Sequence, residues 1–293
     1  MKPVRRNDLQ TLTAARRAMK QAAGRERRAR VAAYRQYLAA RRAVPAAPPR
    51  VLADGDSWFD YPKILLTGGA VVDHLDKLSG VRILNTAHYG DSVQDLLGVK
   101  KRQRIEALLK DPGFDVLLFS GGGDDIVGDQ FCLWLKPDAG GGAASAVDGR
   151  RLKEIMGVVE DGYRDLLDLR DRCAPDCWIV THAYDFPQPS NQGVCGVGPW
   201  LKPSLDYRGW NGATAQFAIV KTVLTKFNDL LVNLEAEQTS AGKNFRHVRT
   251  QGTLNPRKDW ANEIHPNGAG FSKIAKKISA ALNPIYPVFP NFP

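Results

Sequence analysis

The sequence contains no run of about 18 uncharged apolar residues, which excludes a membrane-spanning helix read from hydropathy. Its N-terminus, Met1-Lys2-Pro3 followed by arginines and alanines, lacks the short apolar core and small-residue cleavage site of a secretory signal. The chain is therefore expected in the cytoplasm, or exported by a route that uses no signal peptide. Cysteine is scarce: Cys132, Cys173, Cys177 and Cys195 are the full set. Only Cys173 and Cys177 are close in sequence, as C-x3-C, and no second Cys or His pair lies near them, a poor pattern for zinc. Idle thiols or disulfides both remain open. The greater part of the chain also lacks any excess of basic charge. Residues 1–50 hold twelve Arg and two Lys against Asp8 and Glu26, a net charge of +12, and the other 243 residues sum to −2. The sequence pI near 9.5 thus describes a tail. A nearly neutral body argues against a nucleic-acid-binding surface on the main domain.

What is present begins with an arm. Residues 4–44 are rich in Ala and Arg, a composition that favours helix, with a thin apolar stripe at Leu9, Leu12, Met19, Val31, Tyr34 and Leu38. Pro45-Ala46-Ala47-Pro48-Pro49 ends it as a stiff linker. Two units are expected: a basic helical arm with its linker over 1–49, and one domain over 50–293. The arm is read as docking a protein partner or an anionic surface.

From residue 50 short apolar runs alternate with helical patterns. Strands are expected at Val51–Ala53, Val81–Asn85, Val116–Phe119, Trp178–Thr181 and Phe245–Val248, with helices near 91–110, 151–172, 213–239 and 268–282. Such alternation implies a parallel sheet covered on both faces. Sites in these sheets lie at the carboxyl ends of the strands, so chemistry-bearing motifs should follow strands directly.

They do. Gly55-Asp56-Ser57 follows the first run, where a serine can present its hydroxyl at a helix N-terminus. Ser120-Gly121-Gly122-Gly123-Asp124-Asp125 follows the third, and its glycines allow close backbone approach to a ligand. Near the C-terminus, Asn262-Glu263-Ile264-His265-Pro266-Asn267 precedes the last helical pattern and places a histidine that can accept a serine proton. His88 and His182 also follow strands and are read as supporting or structural. Asp56 is read as holding its turn through backbone N–H groups.

These blocks resemble the SGNH, or GDSL-type, hydrolases. Gly55-Asp56-Ser57 is similar to the family's first block. Asn85-Thr86-Ala87-His88-Tyr89-Gly90 resembles the second, Gly122-Gly123-Asp124-Asp125 the third, and His265-Pro266 the last. The resemblance spans residues 52–282 and leaves the arm outside. It implies a three-layer α/β/α sandwich with a five-stranded parallel sheet, flavodoxin-like in type, and a serine esterase or lipase. Ser57 would form an acyl-enzyme with His265 as general base, and the N–H groups of Ser57 and Gly90 would bind the oxyanion. No metal or organic cofactor is implied.

Two positions depart from the family pattern. Asp124 stands where the family has an oxyanion asparagine. A carboxyl there helps only if protonated; otherwise it turns away and leaves a weaker hole of two donors, the expected outcome. Asn262 stands where the family has aspartate. Its carbonyl can orient an imidazole without supplying charge, and Asp259 or Glu263 are possible substitutes for that duty. The long segments 126–150 and 184–212 carry Phe131, Trp134, Tyr184, Phe186, Trp200, Tyr207 and Trp210, which frame a pocket for an acyl lipid or an acetylated carbohydrate or form cores of their own. A weakly catalytic binding protein and an acyltransferase are the alternatives.

Overall fold

A computed structural model describes residues 6–41, 48–61, 68–193 and 198–292, so Cys195 and the linker positions 45–47 lie outside the described residues. Val51-Leu52-Ala53 opens the strand Val51–Gly55 (β1) and Val116-Leu117-Leu118-Phe119 the strand Val116–Ser120 (β3), and both strands are buried at every position. That is the pattern of central strands covered on both faces. Ile83–Asn85 (β2), Trp178–His182 (β4) and Phe245–Val248 (β5) complete a sheet in the order β2-β1-β3-β4-β5. Every pairing is parallel, with Val51 opposite both Ile83 and Val116. The expected α/β/α sandwich with a five-stranded parallel sheet is the observed architecture.

The helices follow local chemistry. Arg6–Arg41 (α1) is the arm. Val71–Ser79 (α2) was not marked in the sequence: its N-cap is Ala70, and Asp73 supplies the carboxylate that receives the Ala70 N–H. The pattern over 91–110 divides into Val93–Leu96 (α3) and Val99–Lys110 (α4) around Gly98. Gly123–Ile126 (α5) is a single turn after β3. Gly149–Cys173 (α6) starts at Asp148, whose side chain accepts the Arg151 N–H. Lys202–Tyr207 (α7) is short, and Ala213–Ser240 (α8) is long. Gly268–Leu282 (α9) is capped by Asn267, whose Oδ1 accepts the Gly270 N–H. Among the described residues no helix is long and apolar enough to cross a membrane.

The second half of α1 lies against the domain. Tyr34 is buried and stacks on Phe114, with ring centroids 5.7 Å apart. Val31, Tyr37 and Leu38 are half-buried beside it, and the Arg82 guanidinium sits over the Tyr37 ring.

Strand order reverses at β1, between β2 on one side and β3 on the other. Such a switch point opens a crevice beyond the carboxyl ends of β1 and β3. The chain turns there on Gly55, whose φ is 150°. A Cβ at that position would overlap the backbone of Ser120 on the neighbouring strand, so only glycine lets the two strand ends meet this closely.

Candidate active site

Ser57 stands in the turn that follows β1, and Asp56 N–H donates to Ser120 O at 3.0 Å, fastening that turn to β3. His265 comes from the loop before α9. That loop is closed on itself: Ala261 N–H donates to His265 O at 2.9 Å and Asn267 N–H to Asp259 O at 2.8 Å. The two segments, 208 residues apart in sequence, bring Ser57 Oγ to 2.8 Å from His265 Nε2. On the far side of the ring, Nδ1 is 2.9 Å from Asn262 Oδ1.

Hydrogen-bond directions fix which nitrogen carries the proton. Asn262 Oδ1 accepts the backbone N–H groups of Ile264 and His265, at 3.2 and 3.0 Å, which only an oxygen can do. Asn262 Nδ2 donates to the Tyr61 hydroxyl at 2.9 Å. With oxygen facing the ring, Nδ1 must hold the hydrogen, and Nε2 is left with the lone pair that faces Ser57. The imidazole is 5% exposed, packed by Tyr61 (centroids 4.6 Å) and edge-on by Trp200 (5.3 Å). Burial disfavours the charged form and lowers the His265 pKa to about 3, so the ring is neutral, with the Nε2 lone pair free to accept, and is a weaker base than a solvated imidazole.

The other acidic residues near His265 face elsewhere. Glu263 is fully buried, and its carboxylate accepts backbone N–H groups of Asn191, Trp200, Leu201 and Lys202. Asp259 accepts the Asn255 N–H and the Lys273 ammonium, both at 2.6 Å. Neither turns to the imidazole; the first secures the segment that carries Trp200, and the second the neck of the His265 loop.

A small cavity of about 30 Å³ opens at Ser57, lined by Trp58, Gly123, Asp124, Tyr184 and Trp260 among others. Asp124 therefore faces the same space as the serine. Gly90 does not line that cavity; it occupies an exposed turn after β2 with φ 75°. Of the aromatic residues in the long segments, Tyr184 and Trp200 reach the site. Trp134 and Trp210 instead donate their indole N–H groups to Ile126 O and Lys136 O inside the loops' own cores, and Tyr207 is exposed. Trp58 and Trp260, which sequence reasoning passed over, take the wall positions. Trp58 also donates to Ile264 O at 3.1 Å, tying the serine turn to the histidine loop.

Beneath the serine lies a buried polar network. His182 Nδ1 accepts the Tyr184 N–H at 3.2 Å, so Nε2 donates to Ser120 Oγ at 3.1 Å, and Ser120 donates to Asp56 Oδ1 at 2.8 Å. On the other branch Gly123 N–H donates to the Tyr184 hydroxyl at 3.1 Å, and that hydroxyl donates to Asp56 Oδ2. Trp58 N–H also reaches Asp56 Oδ1, at 3.0 Å. Burial pushes the Asp56 carboxyl up to about 6, against the pull of the Tyr184, Ser120 and Trp58 donors. The same desolvation lowers His182 to about 3. One carboxylate thus joins the ends of β1, β3 and β4. Among the described residues no group of three or more His, Cys, Asp or Glu is placed to hold a metal ion.

No protein-family model and no curated protein matches the chain. Solved structures do. A lipase, Lip_vut3, from a goat rumen metagenome aligns at 14% identity and TM-score 0.51, covering 80% of this chain and 97% of its own. A family 3 carbohydrate esterase of Clostridium thermocellum aligns at 15% identity and TM-score 0.50, covering 81% and 96%. An extracellular lipase of Streptomyces rimosus aligns at 17% identity and TM-score 0.48, covering 80% and 99%. The chain has the α/β/α fold of the SGNH, or GDSL-type, hydrolases.

Proposed function

We propose that this chain is a serine esterase that cleaves small carboxylic esters, O-acetyl groups foremost, through an acyl-enzyme on Ser57. The observation that carries this reading is the aligned series Ser57 Oγ, His265 Nε2, His265 Nδ1 and Asn262 Oδ1, with contacts of 2.8 and 2.9 Å. A serine is a weak nucleophile unless a base takes its proton as it attacks, and the base must be held in the right tautomer. Both conditions are met by neutral groups.

In this reading Ser57 Oγ attacks the ester carbonyl while its proton passes to His265 Nε2. The tetrahedral intermediate collapses as the imidazolium returns that proton to the leaving alkoxide. Water, deprotonated by the same nitrogen, then releases the acid and restores Ser57. The Ser57 N–H is the proposed oxyanion donor, and a single donor of this kind contributes about 10²–10³ in rate; Gly90, on its exposed turn outside the cavity, would have to move in to add a second. Asn262 supplies orientation but no charge. The imidazolium is therefore stabilised chiefly by the neutral Asn262 carbonyl at its Nδ1–H.

Substrate size follows from the cavity. The space there is about 30 Å³, roughly room for a single water and far below the roughly 300–1,000 Å³ of ligand pockets. It suits a short acyl group better than a long chain. The fold shared with a lipase and a carbohydrate esterase supports ester hydrolysis in general. Hydrolysis of p-nitrophenyl acetate should exceed that of the decanoate ester and vanish in Ser57→Ala. A fluorophosphonate should add to Ser57 by mass spectrometry. Undiminished hydrolysis by Ser57→Ala would sink the reading.

A further inference from the structure

The arm lies outside the family resemblance, yet its second half reaches the serine turn. Arg30 Nη2 is 2.9 Å from Asp60 Oδ1, and Arg30 Nη1 donates to Asn85 O at 3.4 Å. Those two acceptors belong to different pieces of the site. Asp60 closes the turn that holds Ser57: the N–H groups of Phe59 and Asp60 both donate to Asp56 O at 3.1 Å. Asn85 ends β2 and is tied to the same turn, since its Nδ2 donates to Phe59 O at 2.7 Å and its Oδ1 accepts the Ala87 N–H at 3.0 Å.

One guanidinium therefore spans the serine turn and the strand end that leads to Gly90. Arg27, one turn earlier on α1, pairs with Asp91 beyond Gly90 at 3.6 Å. Tyr34, one turn later and buried against Phe114, sets where the helix lies. Exposed ion pairs contribute little. Here the side chains of Arg30 and Asp60 are 27% and 20% exposed, whereas those of Arg35, further along the same helix, and its partner Asp111 are 57% and 83% exposed. Burial raises the Asp60 carboxyl and Arg30 opposes that shift, which agrees with a pair held out of bulk water.

We infer that the second half of α1 is part of the catalytic unit, and that Arg30 is a positioning residue clamping the Ser57 turn to the end of β2. The inference rests on the reading of Ser57 as nucleophile for its catalytic consequence, and on the contacts alone for the clamp. A planar, forked cation suits this duty because a single head reaches two acceptors.

The test uses the full-length chain with Arg30→Ala, Arg30→Lys, Asp60→Asn and, as control, Arg35→Ala. Small misplacements of reacting groups lower turnover steeply, so Arg30→Ala should lose about tenfold or more in kcat with KM within about twofold. Arg30→Lys should fall between it and the parent, and Arg35→Ala should match the parent. Asp60→Asn should act like Arg30→Ala, and the double variant should be no worse than either single one. Hydrogen exchange gives a readout independent of turnover. The Phe59 and Asp60 amides should exchange faster in Arg30→Ala while β3 stays protected. Parent-like exchange at those amides overturns the clamp, as does an equal rise across β3, which would mean general loosening. If the parent neither cleaves esters nor takes a fluorophosphonate at Ser57, the esterase reading fails, and the exchange result still decides the clamp.

Discussion

Asn262 Oδ1 stands 2.9 Å from His265 Nδ1 while accepting two backbone N–H groups, so a neutral amide occupies the place where a carboxylate would bring charge. The orientation of the ring is fully specified; the stabilisation of its cation is not.

That division predicts the effect of Asn262→Asp. A negative neighbour favours the charged imidazole, so the His265 pKa should rise from about 3. The acid limb of kcat/KM should move to higher pH, and turnover above that limb should increase. Asn262→Ala leaves Nδ1–H without its acceptor and the tautomer uncontrolled, and should cost about a hundredfold or more. A pH profile of the parent and both variants checks these outcomes.

The parent's own profile carries a second expectation. Because burial holds His265 neutral, its proton uptake should not limit kcat/KM at pH 6.5, where a free imidazole titrates. Lowering the pH should leave the base competent until well below that value. A limb near pH 6 would belong to Asp56, and it should stay in place in Asn262→Asp while the His265 limb moves. Finding that the parent's limb near 6 shifts with residue 262 would contradict this assignment.

Tyr184→Phe removes the acceptor of the Gly123 N–H and a donor to Asp56 in one change. Each buried group left unsatisfied costs about 1–3 kcal/mol. Thermal unfolding should shift down accordingly, and turnover should fall because Gly123 precedes Asp124 in the cavity wall.

Asp124→Asn replaces a carboxyl beside the serine with an amide that can donate to an oxyanion. Steady-state turnover of p-nitrophenyl acetate should rise or stay level. A large loss would show that the carboxyl itself takes part.

Glu263→Gln turns one of two accepting oxygens into a donor facing backbone N–H groups. Bonds to a charged acceptor are each worth about 1.5–3 kcal/mol. The variant should be cut faster by protease in the segment after Asp185, and KM should rise as the Trp200 wall loosens.

The strands were legible because β1 and β3 open on apolar runs, and the serine and histidine because each follows or precedes an element end. What escaped was set by distance along the chain. Tyr61 meets Asn262 from 201 residues away, and Tyr184 meets Asp56 from 128. Tyr61 is unremarkable in its local sequence, and the aromatic pattern that marks Tyr184 for the pocket says nothing of its bond to Asp56. The α2 helix escaped because its capping carboxylate lies inside it, at Asp73, instead of at the N-cap. The arm's composition points to a helix that docks a partner or an anionic surface, but it cannot tell an exposed Arg28 from a half-buried Arg30.

Glu263 binds its neighbouring segment only through main-chain amides, at Asn191, Trp200, Leu201 and Lys202. Main-chain donors are supplied by every residue type except proline. The four bonds at 191, 200, 201 and 202 thus depend on backbone position and not on side-chain identity, and the anchor that makes them is two residues from the proton acceptor. Because Trp200 hangs from that anchor and packs on the His265 ring, one buried carboxylate ties the placement of a distant loop to the setting of the base.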